Sequence, residues 1–418
     1  MMINDIEIMS PVGSYESLMA AIQGGADSVY FGVGQLNMRA KSSNNFSIDD
    51  LINICGICKE NKIKSYLTVN TIIYDHEIVE MKKIVDAAKA YGITAIIASD
   101  MAVLNYANSI GMEIHISTQC NITNLEAVKF YAHFADVMVT ARELSLKQVA
   151  EIVEKIELQQ IKGPKGELIK IEVFAHGALC MAVSGKCYIS LDTLNASANR
   201  GACLQLCRRP YHVTDKDGGV EMEIDNEYIM SPKDLNTIGF LDKIIKAGVK
   251  VLKIEGRGRS PEYVKTVTQC YKEASQAYFT GDYNEENIQK WNDKLGSVYN
   301  RGFWDGYYLG RRTGEWTVRY GSQATKKKVY VGKITNYFAK LQVAEVKIET
   351  HSLKIGEEIH IIGPTTGVYE DILTEIRVDL NAVEETVKGE LCSIPVKDVV
   401  RRQDKLYKIV ENNNENDD

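Results

Sequence analysis

Over roughly the first 280 residues, short apolar runs alternate with stretches of helical periodicity. The apolar runs are Ile6–Met9, Ser28–Phe31, Ser65–Val69, Ala95–Ala98, Glu113–Ser117, Val137–Thr140, Ile171–Ala175 and Val251–Ile254. Between most of them, apolar residues recur at helical spacing: Tyr15–Gln23, Ile48–Glu60, Glu77–Tyr91, Met101–Ile110, Asn124–Phe134, Ser145–Lys155 and Asp234–Ala247. A further such stretch, Pro261–Phe279, follows the last run. Eight strands alternating with helices predict parallel pairing through right-handed crossovers. Eight units favour an α/β fold of the (β/α)8 TIM-like barrel type over an open doubly wound sheet. No Gly-x-Gly-x-x-Gly follows the first strand, which weakens the dinucleotide-binding alternative. In such a barrel, chemistry belongs at the C-terminal ends of the strands.

From about residue 325 the pattern shortens. Lys328–Lys333, Val343–Glu349, Glu358–Ile362, Val368–Ile376 and Glu390–Ile394 read as strands separated by Gly and Asn turns. They predict a small C-terminal all-β barrel over 325–408, after a TIM-like barrel over 1–320. The aromatic, Gly-rich stretch Asn300–Trp316 reads as a packed connector. Residues 409–418, ending ENNNENDD, read as a disordered acidic tail.

Composition narrows the class without naming it. The 418 residues carry 49 Lys+Arg against 56 Asp+Glu, a net charge of −7, with 45% hydrophobic residues. These proportions exclude a disordered chain, a collagenous repeat and a disulfide miniprotein. The N-terminus lacks the basic flank and apolar core of a signal peptide, and no apolar run approaches the roughly 20 residues of a membrane span. The expectation is a cytoplasmic protein with no membrane partner, whose thiols stay reduced.

Nine cysteines are present, and four of them fall in one place. After Ala175 about 55 residues, 176–230, pass before the next helical stretch, far more than an ordinary βα connection. This loop holds Cys180 and Cys187 with six residues between them, then Cys203 after fifteen intervening residues and Cys207 after three more. Buried free thiols, a zinc site and an iron–sulfur cluster are the three readings. Zinc commonly uses two close pairs, and only Cys203/Cys207 is close; cluster ligands tolerate irregular spacing. Cys55, Cys58, Cys120, Cys270 and Cys392 read as packing residues.

Polar groups gather at the strand ends. Alternation along LKIEGRGR places Lys253, Glu255 and Arg257 on one face. With Arg142, the basic groups among them suit a carboxylate or phosphate ligand. Glu172 and His176, four residues apart, are expected on the same side, and with Glu255 they are the candidates for moving protons. Arg208 and Arg209 beside the last cysteines, and Lys326 and Lys327 opening the β domain, suggest RNA contacts.

The segments EVFAHGALCMAVSGKC, NRGACLQLCRRPY and LKIEGR together resemble the peptidase U32 family, also called the collagenase-like protease family. The resemblance spans nearly the whole chain, and its length and C-terminal segment look most like the tRNA hydroxylation protein P branch. That resemblance implies a 4Fe–4S cluster held by Cys180, Cys187, Cys203 and Cys207. It implies formation of 5-hydroxyuridine at a tRNA wobble position, with prephenate as hydroxyl source, and tRNA and possible homologous subunits as partners. Other branches act on ribosomal RNA. The C-terminal segment is similar to the second-domain barrel of translation factors, which fits an RNA partner. The family's name carries the competing expectation of a peptidase, for which the chain offers neither a Gly-x-Ser-x-Gly elbow nor a His-Glu-x-x-His helix.

Overall fold

A computed structural model of the chain describes residues 6–41, 44–212, 226–311 and 313–412. The first seven strands are β1 (Glu7–Pro11), β2 (Ser28–Gly32), β3 (Lys64–Val69), β4 (Ala95–Ala98), β5 (Ile114–Ile116), β6 (Val137–Val139) and β7 (Lys170–Gly177). They pair in parallel and in sequence order, and β9 (Val251–Ile254) closes the ring by pairing with both β7 and β1. The expected eight-stranded TIM-like barrel is therefore present. Its strands read as unbroken apolar runs because both faces are covered, outside by helices and inside by a filled core. Met9, Tyr30, Tyr66, Ile97 and Val251 are among the interior residues.

The outer layer is α1 (Tyr15–Gln23), α2 (Asp50–Glu60), α3 (Ile78–Tyr91), α4 (Met101–Ser109), α5 (Leu125–Tyr131) and α6 (Leu146–Leu158), completed by α8 (Leu241–Lys246) and α9 (Pro261–Thr280). Helix starts follow capping chemistry: Ser14, Asp100, Asn124 and Ser145 each accept a bond from a backbone N–H of the first turn. The short α7 (Ile189–Leu194) lies inside the cysteine loop, and α10 (Glu285–Ser297) packs after α9. Among the described residues no helix is long and apolar enough to cross a membrane.

One predicted helix is largely absent. Asp234–Asn236 forms a strand, β8, antiparallel to the end of β7, and only Leu241–Lys246 of the expected 234–247 is α-helical. The backbone there is already committed. The Thr237 N–H donates to the Tyr271 hydroxyl at 3.0 Å and to the Ala175 carbonyl at 3.2 Å, and Asn236 Oδ1 accepts from Ile238 N–H at 3.0 Å. Strand β10 (Phe303–Trp304) pairs with β8 and extends this cap over the barrel's end.

The C-terminal part is an eight-stranded antiparallel sheet: β11 (Lys326–Phe338), β12 (Val343–Ile348), β13 (Glu358–Gly363), β14 (Gly367–Ile372), β15 (Arg377–Val378), β16 (Asn381–Ala382), β17 (Leu391–Pro395) and β18 (Lys405–Glu411). Its core, including Val331, Val346, Ile361, Ile394 and Leu406, is separate from that of the barrel. Strand β18 continues past the expected start of the tail at 409. Ile409, Val410 and Glu411 pair with Lys328, Lys327 and Lys326, so ladder bonds hold what composition alone assigned to solvent. Residues 413–418 lie outside the described residues. The sheet docks on α1 and α9: Gln23 bonds Thr366 and Val368 at 2.9 Å each, and Lys265 bonds the Val368 carbonyl at 2.9 Å.

Candidate active site at the barrel mouth

The described part of the cysteine loop, residues 176–212 and 226–230, folds over the C-terminal ends of the strands and is tied down at several points. Arg200 bonds both carboxylate oxygens of Glu77 at 2.5 Å and lies 4.1 Å from the Tyr74 ring. The backbone of Asn199 accepts from Ile72 N–H, and that of Gly201 from Lys41 N–H. Gly201 adopts φ +80°, and a Cβ there would stand 2.4 Å from the Asn37 carbonyl oxygen, so the close approach needs glycine. Ser190 in α7 accepts from Leu204 N–H at 3.1 Å, joining the two cysteine pairs.

Beneath this loop is a cavity of about 140 Å3 lined by all four cysteines of the loop. Their thiols feel one another. Burial pushes the Cys207 thiol up to about 11; Arg208 works against this, and Cys180, Cys203 and Cys187 add to it. Burial likewise raises Cys187, with Cys180 and Cys203 contributing. Among the described residues, no three His, Cys, Asp or Glu side chains are gathered closely enough to grip a single ion. The thiols thus share a cavity without meeting at a point. Cys55 and Cys58 are buried in α2, away from this cavity, as packing residues.

Much of the remaining lining is cationic. Arg39, Arg142, Arg208, Lys253 and Arg257 face the cavity, against Glu255 as carboxylate. Lys253 Nζ donates to Glu172 Oε1 at 2.8 Å and sits 4.6 Å from the Tyr30 ring centroid. Arg39 pairs with Glu255 at 2.7 Å, and Arg257 donates to Thr68 Oγ1 at 2.9 Å. Arg142 lies 4.2 Å from the Phe174 ring, its buried Nε without a hydrogen-bond partner. The strand alternation that predicted Lys253, Glu255 and Arg257 on one face therefore delivers all three to the cavity. Glu172 lies one layer deeper, fully buried behind Lys253, with His115 Nδ1 at 3.8 Å.

His176 is not beside Glu172. The ladder between β7 and β9 shifts register between Phe174 and His176, so Ala175 is an extra residue and the side-chain alternation flips. Phe174 faces the cavity, whereas His176 packs among Tyr263, Tyr271 and Phe303 at ring distances of 6.0, 5.6 and 5.5 Å. Burial, reinforced by Arg259, lowers its pKa to about 3. Glu255 is also far from neutrality: burial would raise it, but Arg39, Arg142 and Arg257 hold it at about 2. Burial likewise opposes ionisation of Glu172, and Lys253 and His115 overcome it, so its pKa is lowered. None of the three is poised near neutral pH, where proton transfer is most effective. Glu255 and Glu172 instead serve as fixed counter-charges that orient Arg39 and Lys253.

Arg208, expected on RNA, turns inward. It donates to Ser231 Oγ at 3.1 Å and to the carbonyls of Pro232 and Leu179 at 2.6 Å, pinning both ends of the loop. Arg209 is exposed. Lys326 pairs with Glu358 at 2.5 Å, and Lys327 is exposed on β11. Arg39 also lines the cavity, a residue absent from the strand-end candidates. It follows β2 by seven residues, and its signal was only that the loop leaving a barrel strand carries an arginine.

The Peptidase family U32 model matches residues 13–318. A Porphyromonas gingivalis protein named Collagenase is 61% identical over 408 residues, covering 98% of this chain and 99% of that one. The Bacillus subtilis tRNA hydroxylation protein P1 is 30% identical, covering 86% of this chain and 83% of its own length. The Escherichia coli 23S rRNA 5-hydroxycytidine C2501 synthase is 35% identical over 65% of this chain and 39% of that protein. The likeness takes in the cysteine-bearing barrel and, in the first two relatives, most of the chain, so this protein belongs to peptidase family U32.

Proposed function

We propose that the chain is an iron–sulfur-dependent hydroxylase that forms 5-hydroxyuridine at the wobble position of tRNA. The observation that carries this reading is the placement of four cysteines and five basic groups on one small cavity at a barrel's catalytic end. Cys180, Cys187, Cys203 and Cys207 would hold a 4Fe–4S cluster. Four thiolates lining one cavity suit a cluster, whose separate irons each take one thiolate, and their irregular spacing in sequence departs from the two close pairs common at zinc.

Replacing a ring C–H by C–OH removes a proton and two electrons from the base. With the co-substrate as hydroxyl donor, its C–O bond breaks and its carbon takes up that proton and electron pair, so U–H + R–OH gives U–OH + R–H. A bound cluster would supply the iron and electron-transfer chemistry for this exchange. Around it, Arg142 and Arg257 would bind the carboxylates of a small anionic co-substrate, for which prephenate is our choice. Lys253, pre-oriented by Glu172, adds a third positive group. The apolar faces of Tyr30 and Phe174 would pack the co-substrate's ring and keep water from it. Activity on RNA is supported by the hydroxylating relatives of Bacillus subtilis and Escherichia coli.

Peptide hydrolysis is the second reading, favoured by the name of the 61%-identical relative. The cavity offers it little. Among the described residues no histidine lines it, the Ser184 hydroxyl bonds Thr118 at 3.3 Å, and His176 is turned away from Cys180. Anaerobic purification separates the readings. The hydroxylase should carry iron and sulfide near about four each per chain, and Cys203→Ala should remove both. A metal-free or zinc-loaded protein that cleaves peptides would overturn the proposal.

A further inference from the structure

A second cavity, of about 570 Å3, adjoins the first, and Cys203, Gln205 and Arg208 line both. Its walls carry Lys41, Arg208, Arg209, Arg301 and Arg319, and among the described residues no carboxylate lines it. In a chain of net charge −7 this is a local reversal of sign. Arg208 is spent on holding the loop, and Arg301 stands 3.3 Å from the buried Asp234. Lys41 and Arg209 are exposed and Arg319 is half-buried, so three cations remain turned to the opening.

Two tyrosines frame the same cavity. The Tyr299 ring has the guanidinium groups of Arg259 at 3.7 Å and Arg301 at 5.3 Å from its centre. Tyr320 is 70% exposed. Cations beside an open aromatic ring are the pairing that holds single-stranded nucleic acid, the charges meeting phosphates and the ring stacking on a base.

We infer that this cavity binds the phosphate backbone of the RNA strand next to the target nucleotide. The target base then crosses the shared wall at Cys203 and Gln205 into the first cavity. This inference rests on the hydroxylase reading and gives its substrate a path. It also moves the RNA contact away from the C-terminal sheet. Lys326, Lys327 and Lys328 line a third cavity that shares Tyr299, but Glu262, Glu358 and Glu370 line it too. Lys326 pairs with Glu358 and Lys328 with Glu262, so little net charge is left there for phosphate.

The test is the salt dependence of binding of an anticodon stem–loop RNA to the full chain, followed by fluorescence anisotropy. The double variant Arg209→Ala/Arg319→Ala should bind more weakly. Its slope of log affinity against log salt should be shallower by about 1.4, two single-strand phosphate contacts at about 0.7 each. Lys326→Ala/Lys327→Ala should leave the slope unchanged. Should the double arginine variant misfold, Arg209→Glu at its exposed position should shift affinity and slope the same way. An unchanged slope in the arginine variants, or a loss confined to the lysine variant, overturns the inference. Nucleoside analysis of a deletion strain complemented with the wild-type chain judges the parent reading separately. Absence of 5-hydroxyuridine there rejects the hydroxylase, whatever the slopes.

Discussion

Lys253 and Glu172 form an ion pair under the cavity floor, with side-chain exposures of 6% and 0%. Removing one partner of such a pair strands the other charge in a dry site, typically at about 3–5 kcal/mol. Lys253→Met should therefore lower the unfolding free energy in urea by about 3 kcal/mol, and adding Glu172→Gln should restore most of it. A loss below about 1 kcal/mol would mean that Glu172 finds other partners. His176 makes a pH prediction. Its pKa is lowered from 6.5 to about 3, so between those values the unfolded chain takes up a proton that the folded chain refuses. Stability then falls as pH falls through that window, by up to about 1.4 kcal/mol per pH unit. His176→Phe should flatten the slope in urea titrations from pH 6 to 4, and an unaltered slope would contradict the burial of the ring. The sequence placed Glu172 on its strand correctly and His176 just beyond the strand's predicted end at Ala175. What it could not carry was the inward or outward assignment of His176, because the bulge at Ala175 leaves no mark in a pattern of apolar residues.

The cysteine loop is legible as an element because its length and its four thiols break the βα rhythm. Its anchors are not, since they depend on which loops lie adjacent in space. Arg200 stands three residues before Cys203 in the sequence, and in space it clamps the loop to Glu77 and Tyr74. Arg200→Ala should release about 1 kcal/mol of loop anchoring, raising the open fraction about fivefold. Alkylation of Cys203 and Cys207 in iron-free protein should speed up accordingly, and an unchanged rate would show that Gly201 and the backbone bonds suffice. The misread stretch 234–247 has the opposite cause. Its composition suits a helix, but Tyr271 and Ala175 claim the Thr237 backbone before a helix can start. Helix α10 is absent from the predicted stretches although its signal is present in the chain: Asn284 at the N-cap, with Ile288, Trp291 and Leu295 buried on one face.

Over the whole molecule, the barrel was readable because every strand is buried on both faces and each is followed by a helix or a conspicuous loop. The ring closure of β9 on β1 follows from the count of eight units. The net charge of −7 concealed more than it told, since the cationic groups of both cavities come from segments as distant as Lys41 and Arg319. The C-terminal sheet is tied to α1 and α9 by Gln23 and Lys265. Lys326 and Lys328, the lysines nearest the barrel-side cavity, are matched by Glu358 and Glu262, so at that face the sheet's part is better described as packing than as charge attraction.

The four thiols, the cationic lining of the first cavity and the cations of the second all enter one proposal, that the barrel mouth hydroxylates a tRNA uridine. Mass analysis of tRNA nucleosides from a deletion strain tests it directly. Complementation with the wild-type chain should restore 5-hydroxyuridine and its derivatives, and Cys203→Ala or Cys207→Ala should restore none, while Cys270→Ala restores them in full. Equal levels of these nucleosides with and without the wild-type chain would contradict the claim.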